Sequence, residues 1–334
     1  MKRIATISSF AAALAVMTGS AQAAPLEIKI QWSVAPAHIT PLLPHAPKGI
    51  YKHYGKSYVI KPQRMRGSGP ALQAVAAGEI SFGGMSAQAL VRGVKKAKLD
   101  LVGIANVMSS NVKGYGSTGF FSLAGKFKSL KELKGKVVAV NAIGSSIDAA
   151  VIAQFGKVGM KAGRDFQVVE VRFPAMLGAL QKGRVQLTPL LTGFELRAKS
   201  KGVKIDKLFD MRDALGPTET LVWIGRRDFV KKNRAALVDF LEDNIRFRKW
   251  AFDPKNREAV LNLLAKVTKR PAKGYAPWAF TKKDSYRHPL ALVDVKRYQK
   301  NVDDLIKLGV LKTKLDVSKH VDNSLAEEAA KRIK

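Results

Sequence analysis

The 334-residue chain contains no cysteine, and that absence excludes several kinds of structure and site. There is no disulfide framework, no thiol nucleophile and no cysteine for lipid attachment behind a leader. No G-x-S-x-G segment occurs, and the five histidines lack the spacing of zinc sites. We therefore predict no metal, no cofactor and no catalytic residue. His38 is the one histidine at the mouth of a predicted loop.

Acidic residues are also scarce, since 26 Asp and Glu face 58 Lys and Arg, a formal net charge of +32. The basic residues are spread along the whole chain, and aromatic residues do not alternate with them as a nucleic-acid stacking surface would require. We therefore predict no nucleic-acid partner. The charge instead predicts a solvated basic surface that attracts anionic ligands, and also anionic membrane surfaces, in a salt-dependent way.

No apolar run of membrane-spanning length follows the first 23 residues. Those residues are typical of a signal peptide: Lys2 and Arg3, an apolar run from Ile4 to Met17, and an Ala-x-Ala ending at Ala23. Cleavage after Ala23 predicts export, and the style of the leader indicates a bacterial periplasm. The hydrophobic content of 46% is ample for a globular core.

The rest of the chain alternates short apolar strands with helical patterns, which indicates an α/β fold. Three predicted helices start on glycine and serine, in the segments 67–70 (GSGP), 83–86 (GGMS) and 144–146 (GSS). Helix N-termini have unpaired N–H groups that favour anions, and ligands bind open α/β sheets at the carboxyl ends of strands. We expect the three loops to line one binding site. The alternative is that they only cap their helices.

Two turn-rich segments, 109–119 (SSNVKGYGSTG) and 216–220 (GPTET), predict the connections between two lobes. The first lobe is then formed by residues 24–112 and 221–334, and the second by residues 113–220. The final third of the chain is mainly helical and forms outer layers and a brace. Within this scheme we predict a strand at 80–82 and helices at 229–252 and 289–308.

Several segments follow one another in an order that characterises a known family. They are Trp32-Ser33, 48–55 (KGIYKHYG), 67–72 (GSGPAL), 77–83 (AGEISFG, with Ser81 where Asp is usual), 130–140 (LKELKGKVVAV) with Gly144-Ser145, and 179–186 (ALQKGRVQ, with Gln186 where Asp is common). With these segments the chain resembles the substrate-binding proteins of ABC importers in the nitrate, sulfonate and taurine group, which includes binders of pyrimidine precursors.

The resemblance implies a bilobal type II periplasmic-binding-protein fold, in which two α/β lobes joined by two crossover strands close on a ligand by a hinge movement. It also implies a monomer that delivers its ligand to an inner-membrane ABC permease. Carried over position by position, the ligand-binding residues are Trp32, Ser33, Gly67, Ser68, Gly69, Met85, Ser86, Ala87, Gly144, Ser145, Ser146, Thr192 and Glu195.

Three converging helix N-termini supply only part of the roughly −8 kcal/mol of micromolar binding, since each contributes at most about 2 kcal/mol. We therefore expect a small organic anion, a sulfonate or carboxylate, held also by hydrogen bonds and an apolar wall. If Glu195 faces the cleft, the ligand carries an amine or N–H donor.

Other functions stay open at this point. Gly114-x-Gly116-x-x-Gly119 matches a dinucleotide fingerprint formally, but the residues after it do not open a helix. A pyrimidine-forming enzyme shares the implied fold, but its chemistry depends on cysteine, which this chain lacks. A ligand sensor that signals to a membrane receptor and a polyanion-binding protein are the remaining alternatives.

Overall fold

The computed structural model describes residues 24–333, so the predicted signal peptide lies outside the described residues. Two mixed β-sheets, each with its own helices, organise this part of the chain. Within residues 24–333, no helix combines the length and apolar character needed to cross a membrane.

The first sheet has the strand order β2-β1-β3-β10-β4. The first two strands are parallel, a bridge from Ile30 to Phe82 joins β1 to the start of β3, and β10 runs antiparallel between β3 and β4. The strands are β1 (Leu26–Trp32), β2 (Tyr58–Arg64), β3 (Gly83–Met85), β4 (Leu101–Ser110) and β10 (Thr218–Arg226).

The second sheet repeats this arrangement in the order β7-β6-β8-β5-β9. A bridge from Val138 to Leu187 joins β6 to β8, and β5 runs antiparallel between β8 and β9. In each sheet the antiparallel strand is the one that arrives from the other half of the chain. The strands are β5 (Gly119–Leu123), β6 (Val137–Val140), β7 (Gln167–Glu170), β8 (Thr188–Leu190) and β9 (Ile205–Asp210). We call each sheet with its helices the first lobe and the second lobe.

Helices cover both sheets, and the longest ones belong to the first lobe. The α-helices are α1 (Ser68–Ala76), α2 (Ala87–Val91), α3 (Ser146–Gly156), α4 (Phe173–Gln181), α5 (Thr192–Ser200), α6 (Met211–Leu215), α7 (Arg227–Lys232), α8 (Arg234–Phe252), α9 (Arg257–Thr268), α10 (Val295–Lys307) and α11 (Ser324–Lys331). Short 3₁₀ segments lie at Thr40–His45, Leu130–Leu133, Pro254–Asn256, Ala272–Gly274 and Val317–His320, and a π-turn at Arg92–Lys96 extends α2.

Each lobe has its own buried core. In the first lobe, α8 packs Phe240 and Phe247 against the sheet together with the fully buried Trp223 of β10. In the second lobe, the rings of Phe120 and Phe209 stack at 4.2 Å between centroids on neighbouring strands. Such aromatic pairs stabilise a core beyond the area they bury.

Three predicted elements differ from the structure. The strand predicted at 80–82 begins at Gly83, because Ser81 and Phe82 instead donate their backbone N–H groups to Lys29 of β1. The helix predicted at 229–252 is divided at Asn233, whose side chain donates to the carbonyl oxygen of Phe229. The helix predicted to start at 289 begins at Val295, with Asp294 as its N-cap.

A buried carboxyl group ties together the strands that connect the lobes. Glu219 of β10 accepts hydrogen bonds from the side chains of Asn106 and Ser109 of β4, and its backbone N–H donates to Asn301 of α10 at 2.7 Å. Burial raises the pKa of Glu219 to about 7, against the opposing effects of these hydrogen bonds and of Arg297. A packed network of buried hydrogen bonds therefore holds the strands that connect the lobes.

We predict that Glu219 makes the protein less stable as the pH rises from 4.5 to about 7, since its carboxyl ionises first in the unfolded chain. This contribution to the free energy of unfolding is at most about 3 kcal/mol. Glu219→Gln removes it, so the variant gains stability relative to wild type as the pH rises. Urea unfolding of both proteins across this range measures the difference, and Glu258→Gln, at an exposed position of α9, is the control. A wild-type-to-variant difference that stays constant with pH would contradict the prediction.

Candidate functional site

Two of the three Gly/Ser loops cap helices as predicted. The hydroxyl of Ser86 accepts from the backbone N–H of Ala89 at the start of α2, and that of Ser145 accepts from Asp148 at the start of α3, each at 3.3 Å. At α1 the N-cap is Gly67, which has no side chain for capping. There the hydroxyl of Ser68 is directed elsewhere, and accepts from the backbone N–H of Ser86 at 3.1 Å.

The loops of the two lobes are in direct contact. An added Cβ at Gly69 would lie 2.5 Å from the carbonyl oxygen of Ile143, and one at Gly67 would lie 2.6 Å from the amide nitrogen of Asn141. The same amide donates to the carbonyl oxygen of Arg66 at 2.8 Å. Arg66 also forms an ion pair of 3.4 Å with Glu170 across the boundary. The two lobes are therefore closed on each other.

A cleft of about 60 Å³ remains between the contacting loops. A cavity needs about 10–15 Å³ to hold one water, so the cleft has room for only a few heavy atoms. Its walls come from both lobes, and apolar side chains form most of their surface. Polar side chains come from both lobes and from the strands that connect them: Gln31, Ser33, His38, Ser68, Thr118, Asn141, Ser145, Ser146 and Thr220.

Gln31 holds the first-lobe wall of the cleft in place. Its fully buried amide nitrogen donates to the carbonyl oxygen of Gly67 and to the hydroxyl of Ser33, each at 3.2 Å. Its amide oxygen accepts from the backbone N–H of Gly84 at 2.8 Å. One side chain thus links the loops at Ser33 and Gly67 to strand β3. On the opposite wall, the hydroxyl of Ser145 donates to the amide oxygen of Asn141 at 2.9 Å.

His38 is a neutral imidazole in the wall of the cleft. Burial, together with the charge of Arg287, lowers the pKa of His38 to about 3. Its ring lies 5.4 Å from that of Trp223, and neither ring nitrogen has a hydrogen-bond partner among the described residues. The cleft therefore contains no histidine cation at neutral pH.

A second and larger space, of about 490 Å³, adjoins the cleft. The two share wall residues of both lobes and of the connections between them: Val34, Ala37, Met108, Thr118 and Leu191. Its lining also includes three aromatic and five basic residues: Phe194, Tyr275 and Trp278, with Arg197, Lys201, Arg270, Lys273 and Lys283. We call this space the basic cavity.

The cations of the basic cavity have no carboxylate partners. Within residues 24–333, none of its five Lys and Arg side chains lies within 4.0 Å of an Asp or Glu oxygen. The carboxylate in its lining is Asp284, which is occupied by the buried guanidinium of Arg287 at 3.1 Å and by the backbone N–H groups of Phe280 and Ser285. The cavity therefore has an excess of positive charge with which an anion can pair.

The structure places part of the predicted site in these two spaces. Ser33, Gly67, Ser68, Ser145 and Ser146 line the cleft, and Thr192 lines the basic cavity. Gly69 and Gly144 lie in the contact between the lobes, Gly69 against Ile143 and Gly144 against Arg92.

The other predicted residues lie elsewhere. Trp32 is stacked under the guanidinium of Arg64 at 4.2 Å, outside the linings of both spaces, and Met85 is fully buried in the core. Glu195 pairs with Lys199, one turn along α5, at 2.7 Å, and lines a separate space beside β5 and β9. Because Glu195 lines neither the cleft nor the basic cavity, the structure gives no support for an amine-bearing ligand. Ser86 and Ala87 line a separate small cavity beside Glu219.

Several residues of the site were missed. Gln31 lies on the same face of the predicted strand as Glu27 and Lys29. The alternating pattern therefore indicates a solvent-facing residue at this position. Asn141 directly follows a predicted strand and precedes a predicted loop. A polar residue in that position is a signal by which Asn141 could have been identified as a site residue. The sequence did not distinguish the cations of the basic cavity from the other basic residues, since the chain contains 58 Lys and Arg. No cluster of His, Asp and Glu capable of holding a metal occurs within residues 24–333.

We predict that Gly69→Ala opposes closure of the lobes without unfolding either one. The added methyl group meets the carbonyl of Ile143 in the other lobe, and no first-lobe atom outside its own helix and neighbours lies within 4 Å. Small-angle X-ray scattering should give a larger radius of gyration than that of wild type under conditions that keep wild type compact. The free energy of unfolding should change by no more than about 1 kcal/mol.

The matched control is Gly178→Ala in α4, where an added Cβ meets nothing within 4 Å. It should leave the radius of gyration unchanged. Equal radii for wild type and Gly69→Ala would contradict the closure argument.

Comparisons with known proteins identify the family and the fold. The family model described as NMT1/THI5 like matches residues 37–253. No curated protein sequence matches the chain.

Among solved structures, the periplasmic aliphatic sulphonate-binding protein SsuA of Escherichia coli is 20% identical with a TM-score of 0.64, over 91% of this chain and 99% of the other. The periplasmic nitrate-binding protein NrtA of Synechocystis PCC 6803 is 18% identical with a TM-score of 0.69, over 93% and 89%. A desulfurization enzyme is 12% identical with a TM-score of 0.59, over 92% and 100%. At these identities the likeness shows the fold, which confirms the predicted periplasmic-binding-protein fold.

Proposed function

The chain belongs to the NMT1/THI5-like family, and from that premise we propose that it is the solute-binding component of an ABC importer. It captures a small organic anion between its two lobes and does not transform it. The observation that supports this most directly is the basic cavity, which lies between the lobes and contains five cations without carboxylate partners among the described residues.

The geometry of closure fits reversible capture. Both lobes contribute polar groups to the cleft, and their loops meet through glycines that leave no space for a side chain. A ligand that contacts both lobes favours the closed form by its differential affinity for that form. Ser68 and Ser145 each supply a hydroxyl group to this arrangement, one from each lobe.

The nature of the walls favours an organic anion over an inorganic one. A bare ion pairs with the cations but does not use the aromatic surface of Phe194, Tyr275 and Trp278 in the same cavity. An apolar body buried against these rings adds roughly 25 cal/mol for each Å² removed from water. A sulfonate or carboxylate on a carbon skeleton uses both kinds of wall.

Binding without catalysis is supported by the side chains available. The desulfurization enzyme shows that a protein of this fold can catalyse a reaction, so the fold alone does not decide the matter. This chain has no cysteine, and the histidine in its cleft is neutral and buried without a hydrogen-bond partner among the described residues. Neither residue type therefore offers an activated nucleophile or base at this site.

Place and partner follow from the same proposal. The E. coli and Synechocystis proteins are both periplasmic, and the predicted leader is consistent with export of this chain. We propose that the closed, loaded protein docks on an inner-membrane permease and works as a monomer. N-terminal sequencing of protein recovered from the periplasm should begin at Ala24, and retention of the leader would contradict this part of the proposal.

We predict that organic sulfonates or carboxylates stabilise the protein and that nitrate or bicarbonate does so less. At a concentration of about 100 times the Kd, a ligand adds about 2.7 kcal/mol to the free energy of unfolding. Thermal-shift measurements with methanesulfonate, benzenesulfonate, acetate, nitrate and bicarbonate rank these anions by how much they stabilise the protein. Benzenesulfonamide, which lacks the charge, is the ligand control and should give no shift.

A second control distinguishes anion binding between the lobes from anion binding to the basic surface in general. Gly69→Ala should weaken the shift produced by any anion bound between closed lobes, whereas Gly178→Ala should not. Stabilisation by inorganic anions alone, or by any polyanion equally in both variants, would contradict the proposed function.

A further inference from the structure

We propose that residues 270–285 of the first lobe act as a latch that holds the second lobe closed over the basic cavity. We call this segment the strap. It follows α9 and supplies one wall of the cavity, and α5 of the second lobe supplies residues of another. The inference rests on the proposed function, because it names what regulates closure at the same site.

Side-chain hydrogen bonds fix the strap to the first lobe. The guanidinium of Arg257 in α9 donates to the carbonyl oxygens of Ala276 and Ala279, at 2.6 and 3.1 Å. The hydroxyl of Tyr275 donates to that of Thr268, also in α9, at 2.8 Å. Tyr275 and Ala279 are buried in the same apolar core as the inner face of α8. The strap therefore moves with the first lobe.

The strap also contacts the second lobe, at the start of α5. An added Cβ at Gly193 would have three atoms of the Trp278 indole as its nearest neighbours, the closest at 2.6 Å. The hydroxyl of Thr192 donates to the carbonyl oxygen of Lys283 at 3.1 Å. Leu196 of α5 packs against the apolar core of the first lobe, to which Trp278 belongs. Residues of the two lobes thus meet here through apolar surface and a hydrogen bond.

Side chains form this contact, which distinguishes it from the contact at the Gly/Ser loops. The guanidinium of Arg270 in the strap lies 5.6 Å from the ring centroid of Phe194 in α5, within the range at which a ring face attracts a cation. The loops meet instead through the backbone, at residues 67–69 and 141–143. Because the two contacts have no residue in common, each can stabilise the closed form separately. The strap also lies beyond residue 253, where the match to the family model ends.

The far end of the strap is fixed to the connection between the lobes. Ser109 of β4 exchanges backbone hydrogen bonds of 2.7 and 3.0 Å with Tyr286, the residue directly after the strap. The backbone N–H of Gly116 donates to the carbonyl oxygen of Asp284 at 2.9 Å. The strap is therefore held at both ends and does not follow α5 when the second lobe moves. Opening that takes α5 away from the strap breaks their contacts together.

The latch acts on the same equilibrium as the ligand. Contacts that exist only in the closed form favour that form before any ligand is present. They also have to break before the lobes separate, so they slow the release of an anion from the basic cavity. A larger closed fraction raises the apparent affinity for an anion that binds the closed form.

The test measures distances between pairs of spin labels in the ligand-free protein, which the absence of native cysteine makes possible. Labels on Ala76→Cys and Ala162→Cys, both at exposed positions, report the distance between the lobes. Labels on Ala162→Cys and Ala276→Cys report the distance from the second lobe to the strap. Gly193→Ala should raise the ratio of open to closed molecules at least tenfold for both pairs, because the added methyl group meets the Trp278 indole.

Gly69→Ala provides a second background, since we expect it to populate the open form. Adding Gly193→Ala there should again raise the ratio at least tenfold, whereas the control Gly178→Ala should change neither distance in either background. Thr192→Val removes the hydrogen bond to Lys283 at nearly constant size and should shift the ratio in the same direction. This variant keeps the test decisive if Gly193→Ala fails to fold, as judged by circular dichroism.

The latch and the proposed function fail by different results. Unchanged distances in the folded Gly193→Ala protein, or a longer distance to the strap with an unchanged distance between the lobes, overturn the latch and leave the proposed function standing. Benzenesulfonate at saturation should shorten both distances in the Gly69→Ala protein, and uncharged benzenesulfonamide should not. If no organic anion shortens them although Gly193→Ala opens the ligand-free protein, the proposed function is wrong and the latch stands.

Discussion

The contact between backbone segments of the two lobes is the constraint on which the site depends. Residues 67–69 of the first lobe lie against residues 141–143 of the second so closely that even a Cβ on Gly69 would meet a carbonyl oxygen. Such an approach is possible only where side chains are absent. The contact brings two helix N-termini and their serines to one cleft, and it gives the basic cavity walls from both lobes. The glycines of these loops are therefore required for closure as much as for the turns they occupy.

The fold was largely predictable from the sequence because it depends on local patterns. Buried strands, Gly/Ser helix starts and turn-rich crossovers each have a physical signature within a few residues. Ser86 and Ser145 were placed at their caps for this reason. The errors also have local causes. The strand was predicted to end before Gly83 because Gly83 and Gly84 were interpreted as part of a loop. In the structure an added Cβ at Gly83 would lie 2.8 Å from that of Ala71, so the glycine allows α1 to pack on the strand.

The site was less predictable because its walls come from distant parts of the chain. The cleft could be anticipated from its Gly/Ser loops, yet Gln31, which holds its first-lobe wall, has the spacing of a solvent-facing strand residue. Glu195 fits the family position but lines neither the cleft nor the basic cavity, and it pairs with Lys199 one turn later. The cations of the basic cavity differ from the other basic residues only in where tertiary structure brings them, and no periodicity encodes that. Charge composition indicates an anion without indicating the side chains that bind it.

The high net charge acquires a more specific meaning from this distribution. A minority of the cations of the described chain have acidic partners, as in the pairs Arg234–Glu328 and Lys300–Asp304. Exposed pairs of this kind contribute little to stability. The cations of the basic cavity belong to the majority without such a partner, since the nearby carboxylate of Asp284 is already held by Arg287. What distinguishes them is that they line one space between the lobes. An anion bound between the cations of the two lobes contacts both lobes, so it favours the closed form by its differential affinity for that form.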